Sequence, residues 1–396
     1  MQKRFIYNDI KNNLSKKHIL LIIGPRQVGK TTILLQLHNE LKKQEETSLY
    51  FSLDNKEILT SLNTHPEQIF NFIPPLNKNK KTYLFIDEIQ YLNDPSNFLK
   101  YIYDMYYKDL KLIVSGSSSF YIDKKFKDSL AGRKRIFTLT SLNFPEFVHF
   151  KGKGELSEFI NKGNLPKIYK LELDKLMHEY LLYGSYPELI LEPSIEGKKE
   201  ILKELATSYI KKDIIDANLR SPEMYYKILQ LLANQVSSLF NTNSISNILK
   251  LPNKTIETYI YTMLKSFHVA KITPFYNNFT KEIKKMPKIY FLDLGLRNYF
   301  VNNFEPIALR KDKGELFENF VFRRFYDNYD ELDIQFWQTQ KKHEVDFIIQ
   351  TQKAYEVKFS EKQFQLSKYK YFTEKYPNID LKLIHYNNVN EINILS

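Results

Sequence analysis

With 396 residues, 43% apolar and 26% charged, the chain has the usage of a globular protein long enough for two or three cores, which excludes wholesale disorder. A formal net charge of +12 favours contact with a polyanion such as nucleic acid or an anionic membrane surface, although a merely solubilising lysine surface fits it too. The absence of cysteine excludes disulfides, thiolate metal sites and cysteine nucleophiles. The residues after Met1 lack the layout of a signal peptide, and the apolar run Ile19 to Ile23 is far shorter than the roughly 18 residues a membrane span needs, so a cytoplasmic, non-membrane protein is expected.

The first 150 or so residues alternate short apolar β-type runs (Ile19 to Ile23, Ser48 to Leu53, Tyr83 to Ile86, Lys111 to Val114, Ile136 to Leu139) with amphipathic helical stretches. Such alternation predicts βαβ units, hence an α/β domain with a parallel sheet. Between the first strand and the first long helix lies Gly24-Pro25-Arg26-Gln27-Val28-Gly29-Lys30-Thr31, followed by Thr32: a complete Walker A loop in its proper context. Glycines let the backbone N–H groups of such a loop converge on phosphate oxygens. Lys30 supplies a charge for the β- and γ-phosphates of ATP, and the Thr31 hydroxyl a ligand for Mg²⁺. The third strand ends in Asp87-Glu88, the Walker B pattern, with Asp87 expected to hold Mg²⁺ and Glu88 to orient or deprotonate water. Ser115, in Ser115-Gly116-Ser117-Ser118-Ser119, closes the fourth strand; a γ-phosphate sensor and a plain serine-rich turn are both open for it. Arg133 precedes the fifth strand, where a guanidinium for the γ-phosphate, in cis or from a neighbouring subunit, stands beside a solvated basic loop.

A Gly- and Lys-rich stretch at Lys151 to Gly154 predicts a linker, and helical periodicity follows over Leu171 to Leu182, Lys198 to Ile215 and Met224 to Leu239. Helices at Ser244 to Lys250 and Lys254 to Ser266, then β-type runs at Val269 to Pro274 and Lys288 to Leu292 with Lys281, Lys284 and Lys285 between them, have the layout of a winged helix. The last stretch reads helix, three strands, helix, strand: Glu315 to Asn328, Ile334 to Trp337, Val345 to Ile349, Tyr355 to Phe359, Gln365 to Tyr376 and Leu381 to Ile384.

These motifs resemble a prokaryotic family of AAA-type ATPases whose C-terminal half is catalogued as domain of unknown function 4143. The resemblance rests on Gly24 to Thr32, Asp87-Glu88-Ile89-Gln90, Ser115 to Ser119, Ala131-Gly132-Arg133 and Tyr183-Gly184-Ser185-Tyr186-Pro187, and runs over nearly the whole chain. It implies an ASCE-type P-loop domain at residues 1–152, a helical region with a winged helix at 153–293, and a restriction-endonuclease-like domain at 294–396. It also makes Arg133 part of a recurring motif, without fixing its role. In nucleases of that fold clustered carboxylates hold Mg²⁺ and a lysine steadies water. Asp346, Glu356 and Lys358 match that set, and Gly314 to Glu318 matches the family's Gly-x-x-x-Glu, with Glu315 and Glu318 on the preceding helix. Charge alternating on a half-buried strand is the competing reading. The expectation is an ATP-hydrolysing, Mg²⁺-dependent switch that engages DNA. The alternatives are a regulatory ATPase that binds partner proteins or forms a homo-oligomer, and an ATP-gated, Mg²⁺-dependent endonuclease.

Overall fold

The computed structural model describes residues 2–77, 80–117, 130–219, 221–275, 286–339, 341 and 343–390. Lys281, Lys284 and Lys285 of the expected wing, and Ser118 and Ser119 of the serine run, lie outside them. The chain forms two compact units, residues 1–140 and residues 141–396, the short stretch 265–267 being set apart from the second.

The first unit is built on strands β1 (Ile19–Ile23), β2 (Ser48–Ser52), β3 (Thr82–Asp87), β4 (Leu110–Gly116) and β5 (Lys134–Thr138) in the order β2-β3-β4-β1-β5. Every pairing is parallel. All residues of β1 and β4 are buried, and β1 reads as an unbroken apolar run, whereas in the edge strand β5 only Phe137 is buried. Among the described residues the unit's α-helices are α1 (Tyr7–Asn12), α2 (Lys30–Lys43), α3 (Lys56–Thr64) and α4 (Pro95–Tyr106). Local chemistry sets their starts. Asn55 accepts from the N–H groups of Glu57 and Ile58 to open α3, and Asp94 accepts from that of Asn97, ahead of Pro95, to open α4. This strand order is that of a P-loop NTPase, with β4 between the strand that leads into the loop and the one that ends in Asp87.

The second unit begins at Ser141, earlier than the expected boundary at 152. The stretch read as a linker is the turn between helices Phe144–Phe150 and Gly154–Lys162. The first of these is opened by a capping box, in which Asn143 and Glu146 each bond the other's backbone N–H. Helices Lys170–Tyr183, Pro187–Leu191, Ile195–Glu204, Ile210–Asp216 and Pro222–Asn234 follow, and a π-helical turn, Leu205–Tyr209, interrupts what periodicity reads as one helix. Next come Thr242–Leu249 and Asn253–Lys265, then β6 (Val269–Pro274) paired antiparallel with β7 (Lys288–Phe291).

The hairpin is not separate from the C-terminal strands. β6 also pairs in parallel with β8 (Ile334–Gln338), and with β9 (Glu344–Ile349), β10 (Lys353–Lys358) and β11 (Asp380–His385) forms one sheet, β11-β10-β9-β8-β6-β7. The division expected at 293/294 therefore falls inside a continuous body. Its physical reason is visible at Asn319 on helix Lys313–Tyr326, whose amide donates to Phe291 O at 2.8 Å and accepts from Phe291 N at 3.0 Å, completing the free edge of β7. The expected helix over 365–376 is shorter, a 3₁₀ turn Leu366–Tyr369 leading into helix Lys370–Lys375. It covers the sheet through Phe372, packed with Trp337, Val345, Ile348 and Ala354.

The Tyr183 to Pro187 motif has an architectural role. Gly184 sits at φ +75°, and a Cβ there would lie 2.2 Å from Asp293 Oδ1. Asp293 accepts from Ser185 N at 2.9 Å and caps helix Leu294–Val301 through Leu296 N at 3.1 Å. The glycine admits a buried carboxylate that ties the helices to the strand hairpin.

Candidate functional site

Parallel register gathers the Walker residues at one edge of the first sheet. Ile23 and Gly116 are partners across β1 and β4, as are Ser52 and Asp87 across β2 and β3, so the loop after β1 and the ends of β3 and β4 share the carboxyl edge. Gly24 makes the turn out of β1 at φ +154°; an added Cβ would stand 1.7 Å from Leu139 O. Gln27 and Gly29 also have positive φ, 61° and 97°. Val28 is fully buried, and its carbonyl accepts from Arg4 Nη1 at 2.8 Å, while Arg4 Nη2 reaches Thr140 O at 3.1 Å. Arg4 thus pins the loop from behind. Arg26 bonds Tyr91. Lys30 is buried at the start of α2, with Nζ donating to Gly24 O at 2.9 Å and Pro25 O at 2.7 Å. Thr31 is exposed and Thr32 half-buried.

Asp87 is held by three hydroxyls. Thr31 Oγ1 donates to its Oδ2 at 2.6 Å and Tyr50 OH to the same oxygen at 2.9 Å, and Ser115 Oγ donates to Oδ1. Burial, then Asp87 itself, pushes the Tyr50 phenol well above its ordinary range. Ser115 Oγ also accepts from Glu88 N at 3.2 Å, which joins the serine to the Asp87 carboxylate and the Glu88 backbone. Glu88 adopts the left-handed conformation, φ 59° and ψ 48°, a strain of about 1 kcal/mol for a residue with a Cβ. Its carboxylate accepts from Gln90 Nε2.

These groups fit a nucleotide with its Mg²⁺. A glycine turn too tight for any side chain, a buried ammonium turned onto loop carbonyls and a buried carboxylate with hydroxyls around it form a donor set of hard oxygens and one fixed cation. Gly24 to Thr32, Asp87, Glu88 and Ser115 are brought to one edge.

Arg133 is not. Ile19 pairs with Lys134 and Ile23 with Thr138, so Arg133 stands at the opening end of β1, and Gly24 follows the closing end. Its guanidinium grips Asp104 through Nε at 2.6 Å and Nη2 at 3.1 Å, which holds it charged. Of the alternatives open for Arg133, the one in cis does not fit this register, because a strand's length separates the guanidinium from the loop of its own chain.

The expected metal residues of the second unit do come together, but around lysines. Glu318 (helix Lys313–Tyr326), Asp346 (β9) and Glu356 (β10) meet Glu344 (β9), while Glu315 is exposed. Lys288 of β7, 2% exposed, places Nζ 3.2 Å from Glu318, 2.5 Å from Glu344 and 3.8 Å from Asp346. Lys358 pairs with Glu356 and lies 3.7 Å from Asp346. Tyr290 OH donates to Glu318 at 2.7 Å, and Asp346 Oδ2 accepts from Val357 N at 2.8 Å. Burial pushes Glu318 up to about 7 against the pull of Lys288, and burial together with Asp346 pushes Glu356 up to about 8. Among the described residues no three His, Cys, Asp or Glu side chains are disposed to hold a metal ion. Sequence reading missed Arg4, Tyr50 and Lys288. Gln90 stood within a quoted motif without a role.

The first unit is therefore an AAA-type P-loop NTPase domain in strand order and loop. Residues 16–148 match the family model described as AAA domain, and residues 313–394 match the domain of unknown function DUF4143; residues 174–306 match a further domain of unknown function, DUF8612. The chain thus carries matches to the AAA domain near its start and to DUF4143 toward its end. An uncharacterized protein of Methanocaldococcus jannaschii is 29% identical to it, over 97% of this chain and 86% of the relative. An uncharacterized ATP-binding protein of the same organism is 24% identical, over 70% of this chain and 79% of its own. Among solved structures, AMPPCP-bound DnaA from Aquifex aeolicus is similar at a TM-score of 0.32 and 16% identity, covering 65% of this chain and 86% of that one. Among the described residues no helix is long and apolar enough to cross a membrane.

Proposed function

We propose that the protein binds and hydrolyses ATP at the edge of its first sheet and works as a nucleotide-driven switch. The observation that carries this reading is the Asp87 carboxylate bonded by Thr31, Tyr50 and Ser115 beside the buried Lys30. Loop N–H groups and Lys30 bind and orient the phosphates; Thr31 and Asp87 hold Mg²⁺, which when bound neutralises phosphate charge. Glu88 orients the attacking water and takes its proton. Gln90 and Ser115 fix Glu88, by its carboxylate and its backbone respectively. Arg133, on the far side of its own sheet, is assigned to a neighbouring subunit's nucleotide. The test is binding of a fluorescent ATP analogue together with phosphate release. Lys30→Ala should lose binding, and Glu88→Gln should keep binding while losing at least about 100-fold in turnover. Undiminished turnover by Lys30→Ala removes the assignment.

A DNA partner is the second part of the proposal. It is supported by helices Thr242–Leu249 and Asn253–Lys265, joined by a short turn and followed by the β6–β7 hairpin, and by the net charge of +12. A winged helix of this kind predicts salt-sensitive binding. ATP turnover measured with single-stranded, double-stranded and branched DNA tests it; no shift of DNA mobility at low salt and no stimulation by any form would leave the protein-partner alternative in its place.

A further inference from the structure

The carboxylate cluster of the second unit has the residues of a Mg²⁺-dependent nuclease centre, but two ammoniums already face its four carboxylates. A divalent cation in such a centre is bound by oxygens at about 2.1 Å and depends on carboxylates that face it without a competing cation. Here the Lys288 ammonium faces Glu318, Glu344 and Asp346 at 3.2, 2.5 and 3.8 Å. Lys358 stands on the other side of Asp346 and pairs with Glu356. Each of the three expected ligands therefore already faces an ammonium.

Lys288 is well suited to this place. It sits on β7, the edge strand of the hairpin, and its side chain is 2% exposed, so the ammonium has no water to retreat to. Its stem approaches Phe336 of β8, with Nζ 5.4 Å from the ring centroid. Three of the four carboxylates have a further donor, while Glu356 Oε2 is buried without a hydrogen-bond partner among the described residues. Tyr290 of the same strand donates to Glu318, Gln338 of β8 donates to Glu344 at 2.6 Å, and the Val357 backbone donates to Asp346. Removing one side of a buried ion pair strands the other, so the hairpin, the helix bearing Glu318 and strand β9 are bound together by one side chain.

We infer that the Lys288 ammonium occupies the cation position of this cluster, so that the C-terminal site is a metal-free strut tying the edge strand β7 to helix Lys313–Tyr326 and to β9, and not a divalent-cation cleavage centre. This stands independently of the ATP reading, since none of these residues belongs to the first unit.

The experiment is Mn²⁺ binding to the nucleotide-free full chain, read by electron paramagnetic resonance of the free ion, for the unaltered protein, Asp346→Asn, Lys288→Met and the double variant. The unaltered protein and Asp346→Asn should bind Mn²⁺ identically. Lys288→Met should gain one equivalent of bound Mn²⁺, and the double variant should lose it again. Mn²⁺ bound by the unaltered protein and lost in Asp346→Asn would overturn the inference, and so would a folded Lys288→Met that gains none. Should Lys288→Met not fold, the comparison of the unaltered protein with Asp346→Asn decides alone.

Discussion

Gln90 holds the carboxylate of Glu88 with one end of its amide while the other end accepts from Ser117 N at 3.3 Å; Nε2 also reaches Ser117 Oγ at 3.0 Å. The side chain is buried, so it couples the end of β3 to the end of β4 without help from solvent. A carboxylate that must present one oxygen to water gains from such a tether, since a misplacement of about 1 Å costs on the order of 100-fold in rate. Gln90→Ala should lower the ATP turnover number by about 10- to 100-fold with little change in nucleotide affinity. Equal losses in affinity and turnover, measured by nucleotide titration and phosphate release, would assign Gln90 to folding of the loop instead.

Arg133 and Asp104 form a bidentate pair on the rim of the first unit, both side chains about one-third exposed at 32% and 38%. Such pairs add little to stability, so Arg133→Ala should melt within a few degrees of the unaltered protein. Its effect is expected on turnover alone, and only where subunits meet. Specific activity of the unaltered protein should rise with protein concentration, and Arg133→Ala should abolish that rise. Concentration-independent activity in both would end the trans role.

The P-loop and its strand were legible because their requirements are local. Gly24, Gly29, Lys30 and Thr31 lie within one turn and its helix, and β1 begins and ends where the apolar run does. Tyr50 and Arg4 were not, because their meaning lies in partners far along the chain: Tyr50 finds Asp87 37 residues away and Arg4 finds Thr140 136 residues away. Lys288 read as an ordinary charged strand residue. Its significance depends on β6 pairing with β8 across β7 and helices Leu294–Val301 and Lys313–Tyr326, a parallel contact that periodicity within either strand does not encode. The π-helical turn at Leu205–Tyr209 was hidden for a related reason, since it leaves the helical spacing of apolar residues nearly intact.

Gly24 offers the sharpest test of the loop's construction. The 1.7 Å approach of a built Cβ to Leu139 O is a clash with backbone, and Leu139 N is itself bonded to Ile23 O at 2.7 Å, so β5 cannot move aside without losing the sheet's edge pairing. Gly24→Ala should destabilise the first unit by about 3 kcal/mol or more, beyond the ordinary range for a surface glycine. Urea unfolding followed by nucleotide protection should show the loss; a change below about 1 kcal/mol would mean that the loop relaxes around the methyl group.

Lys111, at the start of β4 and 1% exposed, sends Nζ to three backbone carbonyls, those of Asn13 at 2.9 Å, Lys16 at 2.6 Å and His18 at 2.5 Å. Burial pushes its ammonium down to about 7, with Lys81 adding to the effect. An unfolded lysine keeps its proton to about pH 10.4, so between pH 7 and that value the unfolded chain binds more protons than the folded one. Stability then rises with pH through this window and is lost as pH falls toward 7, by at most about 1.4 kcal/mol per pH unit for one group. The three carbonyls act against burial, because a neutral amine has a proton too few to serve them all. Comparing the unaltered protein with Lys111→Met between pH 7 and pH 9 isolates this group, since other titrations cancel in the difference. The unaltered protein's advantage should widen as pH rises; an advantage constant across the window would mean that the carbonyls keep the ammonium charged, and that Lys111 ties the chain after α1 to the sheet as a permanent cation.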